Sequence, residues 1–154
     1  MNTGTPERLR FKHVAPDDRD FLFLVKELNK SLTSITSDSG ESSFKAEAFN
    51  SEKDGYLVGY LNGEPTVCGG FRYHSESACE IKRMYSAKPG LGSLLLSELE
   101  SYALSKGYRS ALLSTRRVNT RAVSFYKKHG YHDIPAYGKY VGRAVSVCLG
   151  KKLQ

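Results

Sequence analysis

The part of this sequence best equipped for chemistry is Glu80-Ile81-Lys82-Arg83-Met84-Tyr85, followed after a short link by Gly90-Leu91-Gly92-Ser93 and a long apolar-periodic stretch. A strand that runs through a glycine loop into a helix offers free backbone N–H groups and the positive helix end to an anion, and glycine lets a phosphate approach closely. That is a pyrophosphate cradle in physical terms, although a tight strand-to-helix turn without a ligand reads the same way. Further along, Asn119, Ala122 and Tyr126 share one face of a second helix, with Phe125 beside them and Gly130-Tyr131 beyond. Arg72 and Arg83 lie near the same strand; either could hold a carboxylate through a bidentate pair, or be a solvated surface arginine.

These residues need a scaffold, and the hydrophobic pattern supplies one. Residues 7–14 read as a strand. Pro16-Asp17-Asp18 then opens a helix with Phe21, Leu24, Val25 and Leu28 on one stripe. From Ser31 to Ser43, Ser and Thr predominate and predict a loop, followed by a short helix over 44–50. Tyr56 to Leu61, the turn Asn62-Gly63 and Thr66 to Arg72 form a strong hairpin signal. A strand over 78–85 leads to a helix from Gly90, with Leu91, Leu94, Leu95, Leu99, Tyr102 and Ala103 on one face and Gly107 as its stop. A strand over 109–115, a helix over 119–129 capped by Asn119 and ended by Gly130, and strand-like runs near 131–135 and 143–149 complete the chain. The expectation is a single domain of α/β class, built on one mixed sheet flanked by helices.

Composition narrows the function. With 154 residues, 40% hydrophobic and 25% charged, the chain has the proportions of one compact globular domain. Its apolar runs fall far short of the roughly 20 residues that cross a bilayer, and the N-terminus lacks a secretory pattern, so no membrane association and a cytoplasmic location are expected. Cys68, Cys79 and Cys148 are odd in number and show no CxxC spacing, which predicts buried reduced thiols; His13, His74, His129 and His132 show no ligand spacing, so no metal is expected. A net charge of +7 suits nucleic acid, an acidic protein or a phosphorylated cofactor. The basic residues are dispersed rather than blocked, which weakens the nucleic-acid reading.

The run Asn119-x-x-Ala122-x-x-Phe125-Tyr126-x-x-x-Gly130-Tyr131, following a glycine loop, resembles the GNAT acetyltransferase family. The resemblance extends from about Tyr56 to Leu153; Cys68 to Arg72, Glu80 to Tyr85 and Pro135 to Tyr140 look like a subgroup acting on amino acids or small amines. It implies a mostly antiparallel sheet with one splayed parallel pair, and acetyl-CoA as donor. Met84 and Tyr85 would offer backbone groups to pantetheine and the thioester carbonyl. Amides of Lys88, Gly90, Leu91, Gly92 and Ser93 would hold the pyrophosphate, with Lys128 available to a further phosphate. Asn119 would touch the pantetheine arm, and Tyr126 would act as general acid near the sulfur, whose thiol has a pKa of about 8.5. Glu80 falls where some members place a general base; an ordinary pairing with Lys82 is the alternative. A small-molecule amine entering beside the Ser31 to Ser43 segment would be acetylated by direct transfer in a ternary complex, by a monomer or homodimer. One departure stands out: the loop from Tyr85 to Gly92 is several residues shorter than the family's, and Ala87 occupies the usual Arg or Gln position. A CoA-binding regulatory module with weak catalysis is therefore the rival reading, and a basic polyanion binder on the same fold is a second.

Overall fold

The computed structural model describes residues 8–36 and 49–154. In chain order the elements are β1 (Leu9–Val14), α1 (Arg19–Thr36), β2 (Gly55–Leu61), β3 (Glu64–Tyr73), β4 (Ala78–Ser86), α2 (Gly92–Ser105), β5 (Ser110–Arg116), α3 (Thr120–Lys128), β6 (His132–Asp133) and β7 (Ser146–Lys152). One sheet carries all the strands in the order β1-β2-β3-β4-β5-β7-β6. Every pairing is antiparallel except β4 with β5, so the expected mixed sheet with one parallel pair is what forms.

Local signals explain most boundaries. Asp18 accepts hydrogen bonds from the amides of Asp20 and Phe21 and so starts α1. Asn62 and Gly63 both take positive φ, 54° and 81°, the geometry a two-residue hairpin turn requires. α1 lays Phe21, Leu24 and Val25 against Tyr56, Val58 and Cys68 on one face of the sheet. α2 lays Leu95, Leu96, Leu99 and Ala103 against Leu57, Val67, Phe71 and Ile81 on the other.

Three expectations change. The Ser/Thr stretch is helical as far as Thr36: Thr33 turns its hydroxyl back onto the Asn29 carbonyl at 2.8 Å, which satisfies it inside the helix. Residues 37–43 of the expected loop, and nearly all of the short helix expected over 44–50, lie outside the described residues; Phe49 and Asn50, which are described, are not helical. In α2, Leu96 is buried while Leu94 is 53% exposed, because the helix is packed from one side along the Leu95, Leu96 and Leu99 stripe. The tail forms only the two-residue β6, a 3₁₀ turn over Gly138–Tyr140, and then β7.

The sheet is broken open by one irregularity. Cys68 pairs with Tyr85 but Gly70 pairs with Lys82, so β4 carries an extra residue, and Arg83 takes φ +58° within the bulge. β4 and β5 pair only along Ala78–Glu80 and Ser110–Leu112. Past that point they part, leaving the Met84–Ser86 end of β4 bordering a gap rather than a strand.

Candidate active site

The gap is a cleft of about 600 Å³ between the end of β4, the Ala87–Gly90 link, the start of α2 and the inner face of α3. No side chain caps α2, whose N-cap position is Leu91, so its first-turn amides remain available to a ligand at that end. Gly90 has φ +86°, and a Cβ placed there would meet nothing within 4 Å, so the bare backbone borders open space. The short link is pinned: the Ala87 amide donates to the Thr66 carbonyl of β3 at 2.8 Å, and the Ser86 hydroxyl donates to the Lys88 carbonyl. Lys88, Arg121 and Lys128 stand on the cleft wall. Free amides, a glycine without steric bulk and three cations are what a pyrophosphate-bearing cofactor requires, so these residues fit one.

Of the residues expected to bind the cofactor, Met84, Tyr85, Lys88, Gly90, Gly92, Ser93, Asn119, Tyr126 and Lys128 all border this cleft. Leu91 does not line it; its side chain packs on the core, and its carbonyl accepts from the Leu95 amide. Asn119 caps α3 by accepting from the Ala122 amide, which leaves its side-chain NH₂ as a donor. Tyr126 is half-buried, with Phe125 and Tyr131 edge-on at 5.2 and 5.6 Å. Burial pushes its phenol well above the usual tyrosine range, so it stays protonated as a donor must.

A second hollow of about 350 Å³ opens toward α1, bounded there by Leu28, Leu32 and Ile35. It shares Met84, Tyr85, Ser86, Asn119, Ala122 and Tyr126 with the cleft, so the two meet where the strands part. Arg83 forms part of this wall; it is only 9% exposed and donates to the Asn29 side-chain carbonyl at 2.9 Å. A third hollow of about 270 Å³ is lined by Arg72, His74, Glu80, Lys82, Tyr137 and Tyr140, among others. Lys82 and Tyr140 belong to both, which makes the second and third hollows compartments of one groove.

Glu80 sits in the third hollow and lines neither of the others. Its Oε2 accepts from the Tyr137 hydroxyl at 2.8 Å, and its Oε1 lies 3.5 Å from the Lys82 ammonium. The pairing with Lys82 anticipated from the strand spacing thus exists, but these side chains are 16% and 11% exposed and form no surface pair. Lys82 also donates to the Tyr140 hydroxyl at 3.3 Å. Burial, with help from the Arg72 and Arg83 charges, holds the Lys82 ammonium below the usual lysine range, against the opposing pull of Glu80.

No role for Tyr137, Tyr140 or His129 follows from their spacing in the sequence. His129 ties the two helices of the cleft together. Its Nδ1 faces the Phe125 carbonyl and its Nε2 the Ser93 hydroxyl, both at 2.8 Å. A carbonyl can only accept, so Nδ1 carries hydrogen and donates to Phe125, while Nε2 makes the contact with Ser93. No spacing rule links Ser93 to His129; the contact exists because α3 returns across the start of α2. Among the described residues no cluster of metal-ligating side chains occurs, the cysteines are free and buried, and no helix is long and apolar enough to cross a membrane.

The sequence profile of the acetyltransferase (GNAT) family matches residues 21–131. The IAA acetyltransferase of Azospirillum brasilense is 29% identical over 103 residues, which span 64% of this chain and 67% of that protein. Among solved structures, a Klebsiella pneumoniae protein assigned as an acyl-CoA N-acyltransferase superposes with a TM-score of 0.81 at 24% identity, over 95% of this chain and 98% of that one. The PaiA N-acetyltransferase of Thermoplasma acidophilum, solved with coenzyme A, superposes with a TM-score of 0.73 at 18% identity, over 94% of this chain and 99% of that one. On the extent of the profile match and on the sheet splayed beside a glycine loop, the chain belongs to the GNAT family of N-acetyltransferases, enzymes whose acetyl donor is acetyl-CoA.

Proposed function

We propose that this enzyme transfers an acetyl group directly to a primary amine, with donor and acceptor bound together. The observation that carries the reading is that the basic, glycine-edged cleft and the α1-side groove meet at Met84 and Tyr126. Bound acetyl-CoA supplies an acyl group activated as a thioester. Amides from Lys88 to Ser93 hold its pyrophosphate, Lys128 meets a further phosphate, and the Asn119 NH₂ orients the pantetheine arm. The edge of β4 at Met84 and Tyr85 that faces away from β3, past the end of its pairing with β5, flanks the thioester.

An acceptor amine with a pKa of about 10.4 costs roughly 4 to 5 kcal/mol to deprotonate at neutral pH. Glu80 takes that proton, and because it opens to the third hollow it works through water rather than by contact at the cleft. Tyr126, kept neutral by burial, donates to the sulfur as the thiol leaves. No covalent relay is needed: the cysteines are buried, and burial pushes the thiols of Cys68 and Cys79 up to about 12, which leaves them poor nucleophiles. Three unpaired buried cysteines suit a reducing compartment, and a cytoplasmic location is part of the proposal.

Calorimetric titration with acetyl-CoA at moderate salt tests the reading. Saturable micromolar binding, followed by CoA release with an amine, is the expected result. Absence of binding overturns it. The short link from Ser86 to Gly90 favours one alternative, a CoA-binding regulatory module, and binding without turnover on any amine is the outcome that selects it.

A further inference from the structure

We infer that the acceptor is an amino acid, whose carboxylate is held by Arg72 and Lys82 in the third hollow while its amine points along the groove toward Met84 and Tyr126. This rests on the acetyl-transfer reading above and names the substrate class of the same site. The charges of the groove lead to it. Arg72 and Lys82 both line the third hollow, and Glu80 is the one carboxylate among its described lining residues. Arg72 and Glu80 are direct cross-strand partners, and Lys82 lies two residues along the same face, so all three address the same space.

Glu80 already has both oxygens engaged, by Tyr137 and by Lys82, so its single charge is matched by Lys82 and the Arg72 guanidinium is a further cation in the third hollow. A simple amine arrives as a cation and offers nothing to Arg72; an amino acid brings its own anion. The Arg72 guanidinium has the fork that a carboxylate accepts bidentately, and the Lys82 ammonium beside it is a point charge on the same wall. Leu28, Leu32 and Ile35 across the second hollow give an apolar side chain somewhere to lie.

The test pairs each of a panel of L-amino acids with its decarboxylated amine, for example phenylalanine with phenethylamine and leucine with isoamylamine, and follows CoA release from acetyl-CoA. The expected result is a kcat/KM at least 50-fold higher for the best amino acid than for its amine. Arg72→Gln should raise KM for that amino acid at least 10-fold while leaving calorimetric affinity for acetyl-CoA unchanged, and Arg72→Lys, which keeps the charge without the fork, should fall between. A thermal melt confirms that both variants fold. Equal or faster turnover of the amines overturns the inference alone, as does turnover of no amino acid by a protein that binds acetyl-CoA. Failure to bind acetyl-CoA overturns the acetyl-transfer reading and this inference with it.

Discussion

In the proposed mechanism Tyr126 and Glu80 divide the proton traffic between two chambers, and each can be questioned separately. Tyr126→Phe keeps the ring packed against Phe125 and Tyr131 and removes only the hydroxyl. The expectation is a kcat lowered about 10² -fold with KM for acetyl-CoA nearly unchanged, since the lost interaction belongs to the transition state. Steady-state kinetics decide; an unaltered kcat removes the general-acid role. Glu80→Gln should lower kcat/KM on the order of 10²-fold in steady-state kinetics, because the amine then loses its proton without a base, and an unchanged kcat/KM removes the general-base role. The face shared by Asn119, Ala122 and Tyr126 was legible in the sequence because helical periodicity fixes it. The lid on Glu80 was not: Tyr137 reaches it from 57 residues away, through a turn whose path no spacing encodes.

At the level of elements, caps and hairpin turns were readable because each uses one residue's own chemistry: Asn119 before α3, and Asn62-Gly63 between β2 and β3. The bulge at Arg83 was not, since it depends on how β3 and β4 settle around Gly70, where an added side chain would collide with Tyr56. The end of α1 was misjudged because Ser and Thr are weak evidence against a helix once its apolar stripe is buried. α2 carries the start of the proposed cofactor cradle and is anchored by Leu99, which is fully buried and packs over Gly69 of the sheet. Leu99→Ala should cost about 2–5 kcal/mol, read from the urea midpoint. A loss below about 1 kcal/mol would mean that α2 is held from its ends rather than through this contact.

For the molecule as a whole, alkali is the exposed flank. Burial pushes Cys68 and Cys79 from 9.0 to about 12, and Tyr56 and Tyr108 from 10.0 to about 12. Each is an acid whose folded pKa is raised, so its contribution is complete below the unfolded value and is lost as pH climbs through the folded one. Stability should hold to about pH 9 and then decline steadily toward pH 12, in denaturant titrations at fixed temperature. A stability that stays flat between pH 9 and pH 11 would contradict the burial of these groups. The mixed sheet was foreseeable as a class because the glycine loop and the α3 motif belong to one family pattern; the seven-strand order emerges only from pairing over long sequence distances. On the proposed reading, the meeting of donor cleft and acceptor groove at a few shared residues also bears on ancestry. Drift in α1 or in the 138–140 turn can exchange one acceptor for another while the cofactor cradle stays intact, so lineages can diversify in diet without first losing their currency.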